Sequence, residues 1–260
     1  MQSLRRSLEI QGRVLWALML REVITRFGRH NLGALWLVAE PMIFTLGVAG
    51  VWTAAGLRHG AGIPMVAFAI TGYSSVLMWR NSVSHCSHAI HHNISLLFHR
   101  NVKSIDVLLT RIGLEVAGAT GSFAVLTVFF ASIEWITLPV DPLQVIGGWL
   151  MLSWFATGLA LTVGSASAFS PVVERIWHPT AYLLFPLSGA AYMSDWLPLP
   201  LRSALLWLPM VHAVEFIREG YFGPVVHFHY DMAYMAICNS VLTLSGLALV
   251  RLADARIEAE

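Results

Sequence analysis

Six long apolar stretches, separated by segments richer in polar and charged residues, make up most of the chain. They cover about residues 34–57, 62–79, 112–133, 143–169, 177–193 and 231–250. Each is close to the ~20 apolar residues with which an α-helix crosses the hydrocarbon core of a bilayer. A helix also satisfies its own backbone hydrogen bonds, which lipid cannot do. The pattern predicts an all-α integral membrane protein with six transmembrane helices.

Residues 1–33 have a different pattern, because Arg or Glu interrupts them every few positions. They contain no continuous apolar core of the kind found in cleavable signal peptides. Their apolar residues leave the arginines to the remaining helix face: Leu4, Leu8, Val14, Leu15, Leu18, Val23 and Phe27. We expect an amphipathic helix over 1–33 that lies in the membrane interface; the alternative is a cytosolic helix that packs on a partner. Residues 34–260 would then form a single six-span transmembrane domain.

The basic residues lie mostly on one side of this pattern. Thirteen of the 16 Lys and Arg residues fall there: six in residues 1–33, four in 80–111, one in the 170–176 loop and two in the C-terminal tail. Only Arg58, Arg202 and Arg218 fall on the other side. Since basic loops are retained in the cytoplasm, this asymmetry predicts that both termini are cytoplasmic.

The overall composition favours a membrane protein. The chain is 57% hydrophobic and 12% charged, whereas soluble domains average roughly 45–50% and roughly 25%. A net charge of +1 gives no indication of a nucleic-acid partner. The two cysteines, Cys86 and Cys238, are too few for a disulfide framework.

Two segments between the predicted spans have an organisation of their own. The cytoplasmic segment 81–104 has an amphipathic half followed by a basic stretch that contains Arg100 and Lys103. The segment 194–229 is rich in proline and aromatic residues and contains two helix-like pieces, about 201–208 and 211–220. Each piece is too short to cross a bilayer, so we expect re-entrant helices in the outer leaflet between spans five and six.

Charged residues within or beside the spans are candidate functional residues. Glu40 lies in the first span, near its cytoplasmic end. An unpaired carboxylate at mid-bilayer would cost a few kcal/mol, so we expect Glu40 to have a partner or to reach water. Arg111 and Glu115 are four residues apart at the start of the third span and can pair on one helix face.

A second group of charges lies in the 211–220 piece. His212, Glu215 and Glu219 share one helix face, and Arg218 is within reach of Glu215. We favour a structural ion-pair cluster here, and contact with a polar substrate is the alternative. Two aromatic residues of the same segment, Trp207 and Tyr221, are further candidates for a substrate path.

The sequence lacks the motifs of several common enzymes. It contains no Gly-x-x-x-x-Gly-Lys-Ser/Thr loop, so the chain cannot hydrolyse ATP by the P-loop route. The Gly-x-Ser-x-Gly and His-Glu-x-x-His motifs are also missing. We therefore predict that the chain is not itself an enzyme and carries no cofactor.

A histidine-rich string keeps one enzymatic alternative open. His85, His88 and His92 share one helical stripe, with His91 beside them, and imidazole is a common metal ligand. The string from His88 to His92 also resembles one histidine box of membrane desaturases. Those enzymes need several boxes, and the remaining cytoplasmic candidates are isolated: His30, His99 and His178. We favour a solvated helix face and predict no metal site, with a membrane metalloenzyme as the weaker alternative.

Four motifs, in a fixed order and spacing, carry a family resemblance. They are Leu20-Arg21-Glu22-Val-Ile-Thr25-Arg26-Phe27-Gly28, Leu32-Gly33-x-Leu-Trp36-x-x-x-Glu40-Pro41, Asn101-Val102-Lys103-Ser-Ile-Asp106 with Arg111-x-x-x-Glu115, and Trp207-x-Pro209-x-Val211-His212-x-Val-Glu215-x-x-Arg218-Glu219. Together they resemble the membrane subunit of capsular polysaccharide exporters, within the type-2 ABC exporter family. The resemblance covers about residues 14–250.

The resemblance implies an assembly and a set of functional residues. It implies a homodimeric permease beneath which two copies of a separate ATPase, with its ATP and Mg, are docked. The family's coupling helix corresponds to residues 81–100, so the candidates for ATPase contact are His92, Leu97, Phe98, Arg100 and Lys103. The candidates for the substrate path or its gating are Glu40, Arg111, Glu115, Trp207, His212, Glu215, Arg218, Glu219 and Tyr221.

The resemblance also implies a substrate and further partners. The substrate would be a long acidic glycan on a lipid, usually with a Kdo linker, that crosses the bacterial inner membrane. A periplasmic polysaccharide co-polymerase and an outer-membrane channel would complete its path. His88, His91 and His92 depart from the family pattern, which leaves the details of ATPase docking open. A type-2 exporter of O-antigen, teichoic acid or a drug is the alternative, because such exporters share the same spans.

Overall fold

The described part of the chain is entirely helical in its regular secondary structure. The computed structural model describes residues 2–27, 33–56, 62–97 and 102–259. Its helices are α1 (Gln2–Phe27), α2 (Gly33–Ala54), α3 (Met65–Cys86), α4 (Ala89–His92), α5 (Ile94–Leu97), α6 (Ser104–Ser132), α7 (Pro142–Phe169), α8 (Pro171–Leu187), α9 (Leu199–Leu205), α10 (Pro209–Phe222) and α11 (Met232–Ala259). No strand occurs in these ranges. The predicted all-α class is confirmed.

Four helices are long and apolar enough to cross a membrane: α2, α6, α7 and α11. The two other predicted spans correspond to α3 and α8. Helix α8 has only 17 residues, and α3 carries several hydroxyl-bearing residues along its length. Those hydroxyls bond within the helix, as Thr71 does to the carbonyl of Ala67 (2.9 Å) and Ser75 does to the carbonyl of Thr71 (2.6 Å).

Helix α3 lies at the centre of the structure. Every residue from Ala67 to Trp79 is buried, because α2, α6, α7, α8 and α10 all pack against this helix. Gly72 lets the loop that follows α8 approach closely, since a Cβ at this position would clash with the carbonyl oxygen of Ala190. Small residues also bring helices together elsewhere: a Cβ at Gly158 of α7 would lie 3.0 Å from the Cβ of Leu242 in α11.

Several boundaries differ from those predicted. The supposed 170–176 loop is wrong, because Ser170 alone separates α7 from α8. Pro171 occupies the first turn of α8 and the Ser170 hydroxyl accepts a hydrogen bond from the amide of Val172 (3.3 Å), which are standard helix-start features. Helix α8 ends at Leu187, and the last six residues of the predicted 177–193 span form a loop and turn instead.

The 81–100 segment is also not one continuous helix. Helix α3 runs on to Cys86, and two four-residue helices, α4 and α5, follow it. His88 and Asn93, which flank α4, have non-helical backbone angles (φ −115°, ψ 6° and φ −117°, ψ 18°). The Asn93 side chain bonds to the carbonyl of Ala89 (2.9 Å) and so competes with helix continuation.

Helix α1 packs along α6 and α2. Its half-buried side chains recur every three or four residues and include Val14, Leu15, Leu18 and Val23, so the apolar face predicted from the sequence is directed into the protein. The opposite face exposes Trp16, Leu20 and Ile24 (63%, 45% and 47% exposed). Helix α1 therefore presents apolar side chains on two sides.

Candidate functional site

The outer cluster, defined as His212, Glu215, Arg218 and Glu219 of α10, is built around a fully buried arginine. The Arg218 side chain donates hydrogen bonds to the carbonyl oxygens of Gly189 (2.6 Å), Ala190 (2.8 Å) and Tyr192 (2.5 Å). Its guanidinium also stacks over the ring of Phe68, 3.8 Å from the ring centroid. One side chain thus holds the loop after α8 against the N-terminal part of α3.

Glu215 fixes a different part of the backbone. Its two carboxylate oxygens accept hydrogen bonds from the amides of Ser194 (3.0 Å) and His229 (3.2 Å). Glu215 and Arg218 both lie in the part of the chain that the structure describes, and no ion pair joins them. The predicted internal ion pair is therefore wrong, because each group forms its hydrogen bonds with backbone atoms of neighbouring segments instead. Such bonds satisfy a buried charge while tying down the backbone that supplies them.

The two remaining members of the outer cluster bind elsewhere. His212 lies between the carbonyl oxygen of Leu206 (2.8 Å) and the amide of Asp231, which donates to its Nδ1 atom (2.8 Å). Glu219 accepts hydrogen bonds from the side-chain amide of Gln144 (2.7 Å) and from the hydroxyl of Tyr230 (2.5 Å). The bond to Glu219 raises the pKa of Tyr230 to about 12.

The two aromatic candidates of this segment differ in exposure. Trp207 is 75% exposed, whereas Tyr221 is buried at 1% and its hydroxyl donates to the carbonyl of Thr137 (3.1 Å). Trp207 therefore remains accessible to a substrate. Tyr221 does not, because it packs into the core of the fold.

A second cluster, which we call the inner cluster, joins α1 to α3 and α6 and contains Glu22, Arg26, His85, Arg111 and Glu115. Arg26 pairs with Glu115 and also contacts His85, while Arg111 pairs with Glu22 at 3.3 Å. Arg111 donates as well to the carbonyl of His85 (2.6 Å). The predicted pairing of Arg111 with Glu115 is wrong among these described residues, because α1 supplies each of them with its own counter-charge.

Sequence reasoning did not identify Glu22 and Arg26 as site residues, although a signal was present. Glu22 and Arg26 are four residues apart on α1, and Arg111 and Glu115 are four residues apart on α6 with the opposite order of charge. Two such pairs on neighbouring helices running in the same direction can exchange partners across the interface. Pairing within each helix can be distinguished from pairing between the helices only when α1 is known to lie beside α6.

The candidates for ATPase contact lie at the end of the fold where α3 ends and α6 begins. His92 is exposed, Leu97 is half-buried, and Lys103 is exposed immediately before α6. Ile90, by contrast, is 2% exposed and anchors α4 to the core. Phe98 and Arg100 lie outside the described residues. Glu40 is exposed on α2, and no hydrogen bond or ion pair of its side chain occurs in the described part of the chain.

The histidine string forms a chain of rings and not a compact group. The ring centroids of His85 and His88 are 6.2 Å apart, and those of His88 and His92 are 5.1 Å apart. Within the described ranges, no group of three His, Cys, Asp or Glu side chains is arranged to hold a metal ion. Partial burial, and next the charge of Arg111, lower the pKa of His88. A neutral ring at His88 is therefore favoured near neutral pH.

Known proteins match the chain over nearly its whole length. The capsule polysaccharide export inner-membrane protein CtrC of Neisseria meningitidis serogroup A is 40% identical over 244 residues, which cover 94% of this chain and 92% of the relative. The capsule polysaccharide export inner-membrane protein BexB of Haemophilus influenzae is 37% identical over 247 residues, which cover 95% and 93%. The chain belongs to this family of capsule polysaccharide export inner-membrane proteins.

A more distant relative has the same extent. The polysialic acid transport protein KpsM of Escherichia coli is 28% identical over 251 residues, which cover 95% of this chain and 96% of the relative. No family model matches the chain. The resemblance drawn from the four sequence motifs is confirmed, because it named the same class of membrane subunit.

Proposed function

We propose that the chain is the transmembrane permease half of an ATP-driven exporter that moves lipid-linked capsular polysaccharide out of the cytoplasm. The observation that carries the proposal is the match of 40% identity over 94% of the chain to a capsule polysaccharide export protein of the inner membrane. The four long apolar helices support a role within the membrane. An exporter of another glycan would share these features, and the printed names of CtrC and BexB favour capsule.

Energy for transport would come from a separate ATPase. The sequence has no phosphate-binding loop, so we infer that two copies of the chain assemble with two ATPase subunits that bind ATP and Mg. The exposed residues around α4 and α5, together with Lys103, form the surface on which we place that ATPase. Helices α4 and α5 directly follow α3, the central helix, along the chain, so movement there can reach the centre of the fold.

We also propose the six-span topology with both termini in the cytoplasm. Helices α3 and α8 supply the two spans beyond the four apolar ones, and α9 and α10 form the re-entrant pair in the outer leaflet. The unequal distribution of Lys and Arg supports this orientation. It places the inner cluster on the cytoplasmic side and the outer cluster on the periplasmic side, where a periplasmic co-polymerase and an outer-membrane channel would receive the polymer.

Single cysteines at His92 and Leu138 should report opposite sides of the membrane. Both side chains are exposed, with Leu138 at 62%, and Cys238→Ser gives a suitable background because Cys86 is fully buried. We expect an impermeant thiol reagent to label His92→Cys only from the cytoplasmic side and Leu138→Cys only from outside. Co-expression of the ATPase should protect His92→Cys alone. Labelling of both from one side would contradict the topology, and unchanged labelling of His92→Cys would place the ATPase elsewhere.

Restoration of capsule export tests the function itself. The chain and its cognate ATPase should restore surface polysaccharide to a capsule-forming strain that lacks its own permease and ATPase. The chain with an ATPase whose P-loop lysine is replaced should restore none, because binding without hydrolysis drives no cycle. Export by the chain without any active ATPase would contradict the proposal. Failure of the intact pair, with both proteins present in the membrane, would do so as well.

A further inference from the structure

Arg80 lies within α3 and not at its end. The helix continues for six residues to Cys86, so Arg80 is about 9 Å from the cytoplasmic end of the helix. Its guanidinium stands over the rings of Tyr182 and Phe185 of α8, 5.4 Å and 5.5 Å from their centroids. In the described part of the chain, Arg80 forms no hydrogen bond and no ion pair. Its N–H donors are therefore available to a ligand.

An aromatic face surrounds this arginine, and we define it by Phe44 of α2, Tyr73 and Arg80 of α3, and Tyr182 and Phe185 of α8. The ring of Phe44 lies 5.9 Å from that of Tyr73 and 6.0 Å from that of Phe185. Tyr73 and Phe185 are 5.4 Å apart. Tyr182 and Phe44 remain open, at 68% and 41% exposed. Three helices thus contribute to one continuous aromatic wall.

Glu40 belongs to the same side of the molecule. It precedes Phe44 by four residues on α2, which places both on one helix face. Glu40 is exposed. Val38, two residues before it, lies against Gly121 of α6. Gly121 follows Glu115 by six residues along α6, so this part of α2 lies farther outward than the inner cluster. Arg80 is likewise five residues outward of His85, the α3 member of the inner cluster. Glu40 of α2 and Arg80 of α3 therefore lie on the outward side of the inner cluster, within two of the proposed spans.

Charged groups at this position need water or a charged ligand. Ionisable side chains within a membrane region almost always face a polar cavity and mark a substrate or ion pathway. Arginine is suited to a carboxylate, because its planar fork of donors matches the two carboxylate oxygens. Stacking on aromatic rings holds that plane and leaves its edge free to donate. Adjacent aromatic rings offer broad apolar surfaces to the C–H faces of sugar rings.

We propose that the aromatic face is a binding site for carboxylate-bearing sugar residues of the exported glycan, with Arg80 donating to the sugar carboxylate. The proposal rests on the proposed export function and adds a specific contact along the path. Tyr182 and Phe44 support the sugar rings, and Glu40 accepts hydrogen bonds from sugar hydroxyls. A single cation at the site binds each residue weakly, which lets a long chain move past it.

The test compares Arg80→Gln with matched variants in the assembled complex. The chain and its ATPase are placed in nanodiscs of phosphatidylcholine, and binding of oligosialic acid is measured against its neutral, carboxyl-reduced form. Wild type should prefer the acidic form, and Arg80→Gln should weaken its binding about 10-fold or more, as expected when a charge-assisted hydrogen bond is lost. Arg80→Lys should retain part of the preference. Arg251→Gln, which removes an exposed cation of α11, should leave it unchanged.

Two further measurements are needed. One distinguishes a sugar carboxylate from a lipid phosphate as the ligand of Arg80, and the other distinguishes failure of this site from failure of the proposed export function. If Arg80→Gln alters only the retention of phosphatidylglycerol in doped nanodiscs, the arginine binds a lipid phosphate and the proposal fails. Wild-type preference for the neutral oligosaccharide, or equal binding by Arg80→Gln, would also overturn it. In the export assay, normal export by Arg80→Gln beside an active wild type defeats this site and leaves the proposed function intact. Absence of export by wild type defeats the function, whereas the binding assay still decides the role of Arg80.

Tyr182→Ala and Leu183→Ala provide a matched pair for the aromatic wall. Both side chains are exposed to a similar degree, at 68% and 69%, but Tyr182 supplies a ring beneath the Arg80 guanidinium and Leu183 has none. Tyr182→Ala should weaken binding of both the acidic and the neutral oligosaccharide, because it removes a stacking surface and not a charge. Leu183→Ala should bind like wild type. Equal effects of the two variants on binding would show that the aromatic wall does not contribute to the site.

Discussion

Replacement of Arg218 by glutamine should cause the largest loss of stability of any single substitution in the outer cluster. The guanidinium is fully buried and satisfies the carbonyl oxygens of Gly189, Ala190 and Tyr192. Glutamine is shorter and cannot reach all three, and each buried carbonyl left without a partner costs about 1–3 kcal/mol. A loss of about 3 kcal/mol would lower Tm by roughly 6–12 °C in a chain of this size. Thermal unfolding of the detergent-purified protein measures it.

Three variants control this prediction. Arg218→Lys keeps the charge but loses the planar fork and the stacking on Phe68, so an intermediate Tm is expected. Glu219→Gln changes a half-buried neighbour whose partners a neutral amide can still satisfy, and it should be close to wild type. The Glu215→Gln, Arg218→Gln double variant should be no more stable than Arg218→Gln, because each side chain satisfies its own backbone atoms, amides for Glu215 and carbonyl oxygens for Arg218. Recovery in the double variant would restore the ion-pair model, and a wild-type Tm for Arg218→Gln would reject both arrangements.

Replacement of Glu115 by glutamine should weaken the attachment of α1 to the rest of the protein. Glu115 is the counter-charge of Arg26 and lies 3.5 Å from His85, with its side chain only 8% exposed. Loss of a hydrogen bond to a charged group in such a setting costs about 1.5–3 kcal/mol. We expect a lower Tm and faster proteolysis within residues 2–27. We also expect reduced export, since α1 contacts both other helices of the inner cluster, α3 and α6.

A double-mutant cycle of Glu115→Gln and Arg26→Gln shows whether the loss of stability arises from the contact between these two side chains. Arg26→Gln should cost a similar amount, and the double variant should cost less than the sum of the two, with a coupling free energy of about 1 kcal/mol or more. Glu134→Gln alters an exposed carboxylate between α6 and α7, and surface changes of this kind stay within about 0.5 kcal/mol. Additive losses in the cycle would show that Glu115 acts through other neighbours.

Prediction from sequence was most successful where hydrophobicity alone decides the structure. Each predicted apolar stretch overlaps a helix, and the pieces expected at about 201–208 and 211–220 correspond to α9 (Leu199–Leu205) and α10 (Pro209–Phe222). Boundaries were less accurate where a helix continues beyond its apolar part. Helix α6 begins at Ser104 and includes Arg111 and Glu115, because α1 satisfies those charges and the helix need not end before them.

The sequence by itself determined that the chain is helical, belongs to a membrane, and carries the ordered motifs of capsule polysaccharide export proteins. These properties follow from apolar length and from local spacing, both of which are present in the linear chain. Only the tertiary structure decided which charges meet. Arg218 and Glu215 bond to loops, Arg111 and Glu115 bond to α1, and Arg80 stands inside a helix against two aromatic rings. Spacing on one helix shows which residues share a face, but the partner of a buried charge depends on which neighbouring backbone or side chain the fold brings to it.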